Sequence, residues 1–276
     1  MRLDLLLARA AQRLRDAGSP SARLDAEVLL CHVLGVDRTW LYTWGDREAA
    51  PDDETRFAAL VTARAEGRPV AHLTGEREFW GLPLATSPAT LIPRPDTETL
   101  VEAALAEAGD AGRLLDLGTG TGAVALAFAS ERPGWAVTGV DLRPEAVALA
   151  TGNAERLGIP NARFVVSDWF AALADERFAM IVSNPPYLAD DDPHLARGDV
   201  RFEPRSALVA ADGGLADLRH LVASARAHLE PGGWLALEHG AEQGAAVRAA
   251  LTAAGYRAVA SRRDLAGLER VSLGRR

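Results

Sequence analysis

From Arg113 to Leu273, short apolar runs alternate with segments of helix length. Leu114–Leu117, Ala136–Val140, Arg163–Val166, Phe178–Ser183 and Trp234–Glu238 read as strands. Ala123–Glu131, Pro144–Leu157, Ala216–Leu229 and Glu242–Ala254 read as the helices between them. Strands that are apolar throughout are buried on both faces, and strands joined through helices pair in parallel. The pattern predicts an α/β protein whose mostly parallel, doubly wound sheet carries helices on both sides. Two more strands, near Tyr256–Ala260 and Arg270–Leu273, follow the Gly255 turn. Leu188–Ala210 mixes turns and acids and is expected to be an inserted loop.

The N-terminal part has a different texture. Leu3, Leu6, Leu7, Ala10 and Leu14 recur at spacings of three and four, an amphipathic stripe that Gly18 ends. Ser19-Pro20 offers an N-cap and a first-turn proline for a second helix, with Leu24, Val28, Leu29 and Val33 expected inward and Gly35 closing it. A short helix is expected over Arg38–Thr43. Pro51-Asp52-Asp53-Glu54 opens another, with Phe57, Leu60 and Val61 on its face and its acids at the positive end of the dipole. Between Thr74 and Pro95, the residues Phe79, Trp80, Leu82 and Leu84, with Gly81 and Pro83, suggest a hairpin. Asp96 or Thr97 can cap the helix that follows. The expected organisation is a helical bundle over 1–73, a connector with a β-hairpin over 74–95 and an α/β domain over 96–276.

Composition removes several classes of chemistry. All thirty basic residues are Arg, so no mechanism can use a lysine, whether a P-loop lysine or a Schiff base. The net charge of −8 argues against non-specific coating of nucleic acid, which runs on neutralised phosphates. The single Cys31 sits in an apolar run and reads as a small buried hydrophobe, with no disulfide to demand an oxidising compartment. No apolar run is long enough to span a bilayer, and the N-terminus lacks a signal-peptide pattern. The expected location is the cytoplasm, with no membrane partner.

Two stretches carry chemistry. In Asp116-Leu117-Gly118-Thr119-Gly120-Thr121-Gly122 a strand runs into a glycine turn and then a helix. The spacing G-x-G-x-G differs from the G-x-G-x-x-G of dinucleotide binders, and Asp116 would repel a pyrophosphate but not a cationic ligand. Asp141, ending the next strand, can accept from both hydroxyls of a ribose; alternatively it caps the helix after Pro144. Asp168 can take the exocyclic amine of adenine. Trp169 offers the base an aromatic face, or else is simple core. These groups fall at the carboxyl ends of successive parallel strands, where open α/β sheets bind ligands.

The second stretch is Asn184-Pro185-Pro186-Tyr187, directly after the fourth strand. Two prolines remove two backbone donors and leave rigid carbonyl acceptors. Asn184 adds a side-chain carbonyl. Such a frame can hold both hydrogens of a planar NH₂ group and aim its nitrogen at an electrophile, while Tyr187 can cover the flat face.

The segment Asp116 to Gly122 together with Asp141 resembles the class I S-adenosylmethionine-dependent methyltransferases, whose sheet has seven strands. Asn184-Pro185-Pro186-Tyr187 is similar to the motif of enzymes that methylate planar nitrogens. Gly75–Leu82, Leu91–Glu98, Phe202–Leu208 and Asp212–Leu215 narrow the resemblance to the PrmC/HemK family, and it covers essentially the whole chain. Members of that family methylate N5 of the glutamine in the Gly-Gly-Gln motif of peptide chain release factors. The resemblance implies S-adenosylmethionine as cofactor, bound by Asp116, Gly118, Thr119, Gly120, Thr121, Gly122, Asp141, Asp168, Trp169 and Asn184. It implies Asn184, Pro185 and Tyr187 as catalytic residues, with Pro186 joining them in binding the substrate amide.

No metal is expected, since Asp190-Asp191-Asp192-Pro193-His194 reads as a solvated loop. A release factor is the expected protein partner, without direct nucleic-acid contact, and the protein is expected to be a monomer. The N-terminal helices are expected to grip the release factor; the alternative is a stabilising appendage. An amino methyltransferase of adenine or guanine in nucleic acid shares the nitrogen-holding chemistry and is the nearest rival. A non-catalytic S-adenosylmethionine-binding module is the rival from another class. Glycine spacing and Asp116 disfavour a nicotinamide oxidoreductase.

Overall fold

A computed structural model describes all 276 residues. The chain forms two compact units. The first comprises Met1–Glu76 together with His194–Phe202. Its helices are α1 (Leu3–Asp16), α2 (Ala22–Leu34), α3 (Arg38–Thr43), α4 (Pro51–Ala65) and α5 (Val70–Thr74). The leucine stripe of α1 is buried at Leu3, Leu7 and Leu14 and meets Leu29, Leu30, Phe57 and Val61. Each such side chain, fully buried, is worth roughly 1.5–3 kcal/mol. Cys31 is buried, as expected of a small hydrophobe.

Three local expectations for this unit need correction. Helix α2 starts at Ala22, after Ser21, so Ser19-Pro20 lies outside it. The Ser19 and Ser21 hydroxyls both donate to Asp25, at 2.8 Å each, and Ser19 Oγ accepts the Ser21 amide at 3.3 Å, ahead of the helix. Leu24 is 46% exposed, and the buried face of α2 includes Asp25 and Glu27. The helix can bury these acids because arginines reach them. Arg64 pairs with Asp25 at 2.7 Å, and Arg23 and Arg38 pair with Glu27. Arg64 also pairs with Asp199 at 2.7 Å, which fixes the stretch His194–Phe202 onto the helices. Helix α5 was not expected: at five residues it is too short to show a periodic stripe.

The second unit comprises Arg77–Pro193 and Glu203–Arg276. The strands β1 (Glu76–Phe79) and β2 (Leu82–Ala85) form the expected hairpin. Its two-residue turn, Trp80-Gly81, has positive φ at both positions, which matches the right-handed twist of a hairpin. Trp80 tolerates this because its amide donates to Glu98 and its indole to Glu131.

After α6 (Glu98–Glu107) come β3 (Gly112–Leu117), α7 (Ala123–Glu131), β4 (Trp135–Asp141), α8 (Pro144–Leu157), β5 (Ala162–Val166) and β6 (Phe178–Ser183). A short turn α9 (Ala211–Gly214), then α10 (Ala216–His228), β7 (Leu229–Glu238), α11 (Gly244–Ala253), β8 (Arg257–Arg263) and β9 (Glu269–Arg275) complete the chain. The seven-stranded sheet has the order β5-β4-β3-β6-β7-β9-β8, and only β9 runs antiparallel to its neighbours. One buried layer lies on each face. Leu100, Val124 and Phe128 belong to one; Leu115, Ile181 and Leu221 belong to the other. Residues Ala123 to Ala129 of α7 are all buried, so the helix after the glycine turn has no solvent face.

The expected insert over Leu188–Ala210 is largely 3-10 turns, at Pro193–Ala196, Gly198–Phe202 and Arg205–Ala207. A backbone bridge joins Leu188 to Val209 at its base. No helix is long and apolar enough to cross a membrane.

Candidate active site

The register of the sheet assembles the site. Leu117 pairs with Val140 on one side and Ser183 on the other, and Asp141 pairs with Val166. The glycine turn after β3, Asp141, the Ser167–Trp169 turn and Asn184 therefore share one edge. The chain crosses from β5 to β6 over β3, so this edge is a topological switch point, the place where open α/β sheets hold ligands.

A cavity of about 310 Å³ opens there. Asp116, Gly118, Thr119, Gly120, Thr121, Asp141, Asp168, Trp169, Asn184 and Pro186 line it. Gly122, Pro185 and Tyr187, although adjacent in sequence, do not. Four aspartates (Asp116, Asp141, Asp168, Asp217) and two arginines (Arg94, Arg143) face the cavity, a balance that favours a cationic ligand.

The glycine turn is built inward. Val140 O accepts the amides of Gly118 and Thr119, Asp141 takes the Gly120 amide at 3.0 Å, and Thr119 O takes that of Gly122. With these donors spent inside the protein, the turn is not a phosphate cradle. Gly118 and Gly120 have φ of 72° and 55°, and a Cβ on either would meet nothing closer than 3.8 Å. A side chain there would strain the backbone and project into open space beside the cavity. Gly122 does a different job: a Cβ would press on Ala150, Leu126 and Phe164, so it lets α7 pack closely.

Asp116 is buried and accepts from Thr119 Oγ1 at 2.7 Å and from the Ala125 amide at 3.3 Å. Burial pushes its pKa up to about 6, against these two hydrogen bonds. Asp141 uses one oxygen for Gly120 and the other for the Arg143 amide, at 3.0 Å each. It is thus an anchor of the glycine turn and of the entry to α8, but not a helix cap: Arg143 takes the N-cap position of α8. Each carboxylate oxygen keeps a second lone pair for a ligand. Trp169 is half-buried with φ of 45°, a left-handed conformation unusual for an indole side chain. Ser167 holds this turn, donating to Trp169 O at 2.8 Å and accepting from Ala172. The Trp169 ring borders Gly118 at the cavity wall and also leans on the apolar layer, so both readings of this residue hold in part.

Asn184 donates from Nδ2 to Thr97 Oγ1 at 3.2 Å. Neither Asp96 nor Thr97 caps a helix by its side chain. Thr97 occupies the N-cap position of α6, but its hydroxyl faces Asn184. Tyr187 differs from expectation as well. Its ring packs on the apolar layer, and its hydroxyl donates to Glu238 Oε1 at 3.2 Å, so it is not a free lid over the cavity. Burial and the Glu238 carboxyl push its pKa upward.

Two contributors have structural roles that the sequence did not show: Asn153 gave no signal, and Glu203 stood out only as part of the Phe202–Leu208 stretch. Asn153, on α8, is buried and joins the hairpin to the glycine turn through Ala85 and Thr121. Glu203 accepts the Ile92 amide at 2.8 Å and pairs with Arg94, fixing the wall that holds Leu91, Pro93 and Arg94. An Asn in a helix is ordinary in sequence, and a motif around Glu203 does not say which atoms its carboxylate meets; only the fold shows what the two residues reach.

Known proteins match this sequence along nearly its whole length. Residues 6–75 match the model of the PrmC N-terminal domain, and residues 95–202 that of the methyltransferase small domain. The release factor glutamine methyltransferase of Vibrio cholerae is 55% identical over 274 residues, covering 99% of this chain and 96% of the relative. That of Escherichia coli is 56% identical, covering 93% of each chain. A methyltransferase from Pyrococcus furiosus shares the fold, with a TM-score of 0.54 and 22% identity over 79% of this chain and 96% of that one. The chain belongs to the release factor glutamine methyltransferase family.

Proposed function

We propose that the protein transfers a methyl group from S-adenosylmethionine to N5 of the glutamine in the Gly-Gly-Gln motif of peptide chain release factors. The observation that carries this reading is Asn184. It directly follows the parallel strand β6 beside the glycine turn, lines the same cavity, and donates from Nδ2 to Thr97 Oγ1. With Nδ2 turned to Thr97, Oδ1 is the end that can accept from a ligand.

The cavity suits the cofactor. Its acidic balance favours a sulfonium and an ammonium group, and in this reading Asp141 on the lining accepts the ribose hydroxyls while Asp168 and Trp169 receive the adenine. Gly118, Thr119, Gly120 and Thr121 form the floor, with Gly122 holding α7 beneath it. When bound, S-adenosylmethionine supplies an electrophilic methyl on a positively charged sulfur that leaves as a neutral thioether.

An amide nitrogen is a weak nucleophile because its lone pair is delocalised. Asn184 Oδ1 and the Pro185 carbonyl accept its two hydrogens, which favours a pyramidal nitrogen and stabilises the charge that develops on it. Pro186 contributes rigidity and wall. Tyr187 keeps the segment in place through Glu238. No lysine or strong base is needed, since the methylated nitrogen becomes acidic and releases its proton.

In the same reading the helical bundle over 1–73 docks the release factor, the stretch 74–95 connects, and 96–276 carries out transfer. Trp44 and Tyr42, exposed at 41% and 63% and each set against an arginine (Arg47 and Arg38), offer the bundle aromatic side chains for docking. The protein works as a cytoplasmic monomer without nucleic acid. Replacing Trp44 by Ala should raise KM for the intact release factor and leave KM for a short Gly-Gly-Gln peptide unchanged.

The central test is Asn184→Ala. Calorimetry should show cofactor binding retained while label transfer to the release factor is lost; normal turnover would sink the role of Asn184. Label entering RNA or DNA, not a release factor, would favour the nucleic-acid rival.

A further inference from the structure

We infer that Glu238 is the positioning residue of the amide pocket, holding both ends of the Asn184–Tyr187 segment from behind. The inference rests on reading that segment as the nitrogen-holding site. Glu238 ends β7, one position beyond the Ser183–Leu237 pair of the β6–β7 register, so it stands beside the start of the segment. It is 1% exposed and does not line the cavity.

Its two directions of influence are distinct. Toward the end of the segment, Oε1 accepts the Tyr187 hydroxyl at 3.2 Å and fixes the ring. Toward the beginning, the Thr97 hydroxyl neighbours the carboxyl and lowers its pKa, while Thr97 Oγ1 accepts from Asn184 Nδ2. A hydroxyl has one hydrogen to give. If Thr97 gives it to the Glu238 carboxylate, its lone pairs are left for Asn184, and Asn184 must present Oδ1 to the cavity. The charge on Glu238 therefore sets the polarity of the chain Glu238–Thr97–Asn184.

The carboxyl is poorly provided for as a structural group. Oε2 is buried and makes no hydrogen bond of ordinary geometry. The cation that acts on it, Arg270, is shared between Asp264 at 3.0 Å and Asp96 at 3.3 Å. The groups that face Glu238 are thus Tyr187, Thr97, Arg270 and Asp96, with no dedicated ion pair. Burial pushes its pKa up to about 7, against Thr97, Arg270 and Tyr187. A buried carboxyl left so incompletely partnered calls for an explanation, and packing supplies none.

The test uses the full-length protein, S-adenosylmethionine and an intact release factor. Asn184→Ala, Tyr187→Phe, Glu238→Gln and the double variant Tyr187→Phe/Glu238→Gln are compared for cofactor Kd, kcat and the pH dependence of kcat. For Glu238→Gln, kcat should fall roughly tenfold or more while cofactor Kd stays within about twofold, as expected when only alignment is lost. The parent's kcat should rise as pH passes about 7, and that rise should vanish in Glu238→Gln. Because the two residues act as a unit, the double variant should lose less than the product of the single losses. Parental kcat and pH profile in Glu238→Gln, with Asn184→Ala inactive, would overturn the inference and leave the site reading intact. Multiplicative losses in the double variant would also overturn it. A fully active Asn184→Ala would overturn the site reading and this inference with it. Should Glu238→Gln not fold, Tyr187→Phe leaves the carboxyl in place: lowered kcat at constant cofactor Kd supports the inference, and parental kcat overturns it.

Discussion

Asn184 Nδ2 donates to Thr97 Oγ1 at 3.2 Å, and this bond decides which end of the amide faces the cavity. An asparagine amide has two nearly isosteric orientations, and a hydroxyl whose own hydrogen goes to the Glu238 carboxylate is left as an acceptor that selects between them. Thr97 sits where the 3-10 turn Pro95–Thr97 meets α6 and is itself buried.

Thr97→Val keeps the shape and removes that acceptor. We expect kcat for release-factor methylation to fall about tenfold, cofactor Kd to stay within about twofold, and Thr97→Ser to restore activity, because only orientation is lost. Steady-state kinetics with calorimetry decides; unchanged kcat in Thr97→Val would remove Thr97 from the site.

Asp116 links cofactor affinity to pH. Burial raises its pKa to about 6, and the ionised form is the one a cation favours. Affinity for S-adenosylmethionine should strengthen about tenfold between pH 5 and pH 7 as the carboxyl ionises. The apo protein should show the opposite trend. A raised folded pKa gives stability that is complete below the unfolded value near 3.8 and is lost as pH rises through about 6. Asp116→Asn should flatten both curves; calorimetry and denaturant unfolding across this range would show it.

Asp141 holds the Gly120 and Arg143 amides and faces the cavity. Asp141→Ala should weaken cofactor affinity roughly tenfold to a hundredfold, the equivalent of about 1.4–2.8 kcal/mol. An unaltered Kd by calorimetry would take it out of the ribose site.

Glu203 is buried and satisfies the Ile92 amide as well as Arg94. Glu203→Ala leaves that amide without its carboxylate, and we expect a loss of about 2 kcal/mol in unfolding free energy. Hydrogen exchange at the Ile92 amide should accelerate; unchanged protection there would show that another group satisfies it.

Much of this molecule is legible in the chain. The limits of α7, α8 and β6 coincide with the apolar runs, because a segment's periodicity is a local property of its own residues. The glycine turn, Asp141, Asp168 and Asn184 were legible for the same reason: each follows directly on an apolar strand, so each had to emerge at the same edge of a parallel sheet. Thr97, Ser19 and Tyr187 show where local reading stops. Thr97 and Ser19 stand where capping residues stand, yet their hydroxyls go to Asn184 and Asp25. Tyr187 follows the nitrogen-holding prolines, yet its hydroxyl goes to Glu238. A short polar side chain has many partners within reach, and the choice falls to whatever the fold places nearby.

The sequence by itself determined the alternation of strands and helices, the edge at which the ligand-facing residues emerge, and the absence of lysine chemistry. Tertiary structure decided that Glu238, some fifty residues beyond Tyr187, closes behind the segment, and that Asn153 ties the hairpin to the glycine turn. It also decided that His194–Phe202 packs with the helical unit through Arg64 and Asp199. Periodicity records which way a residue faces within its own element. A buried carboxyl or amide is stable only against particular atoms from other elements, and the sheet order selects those atoms.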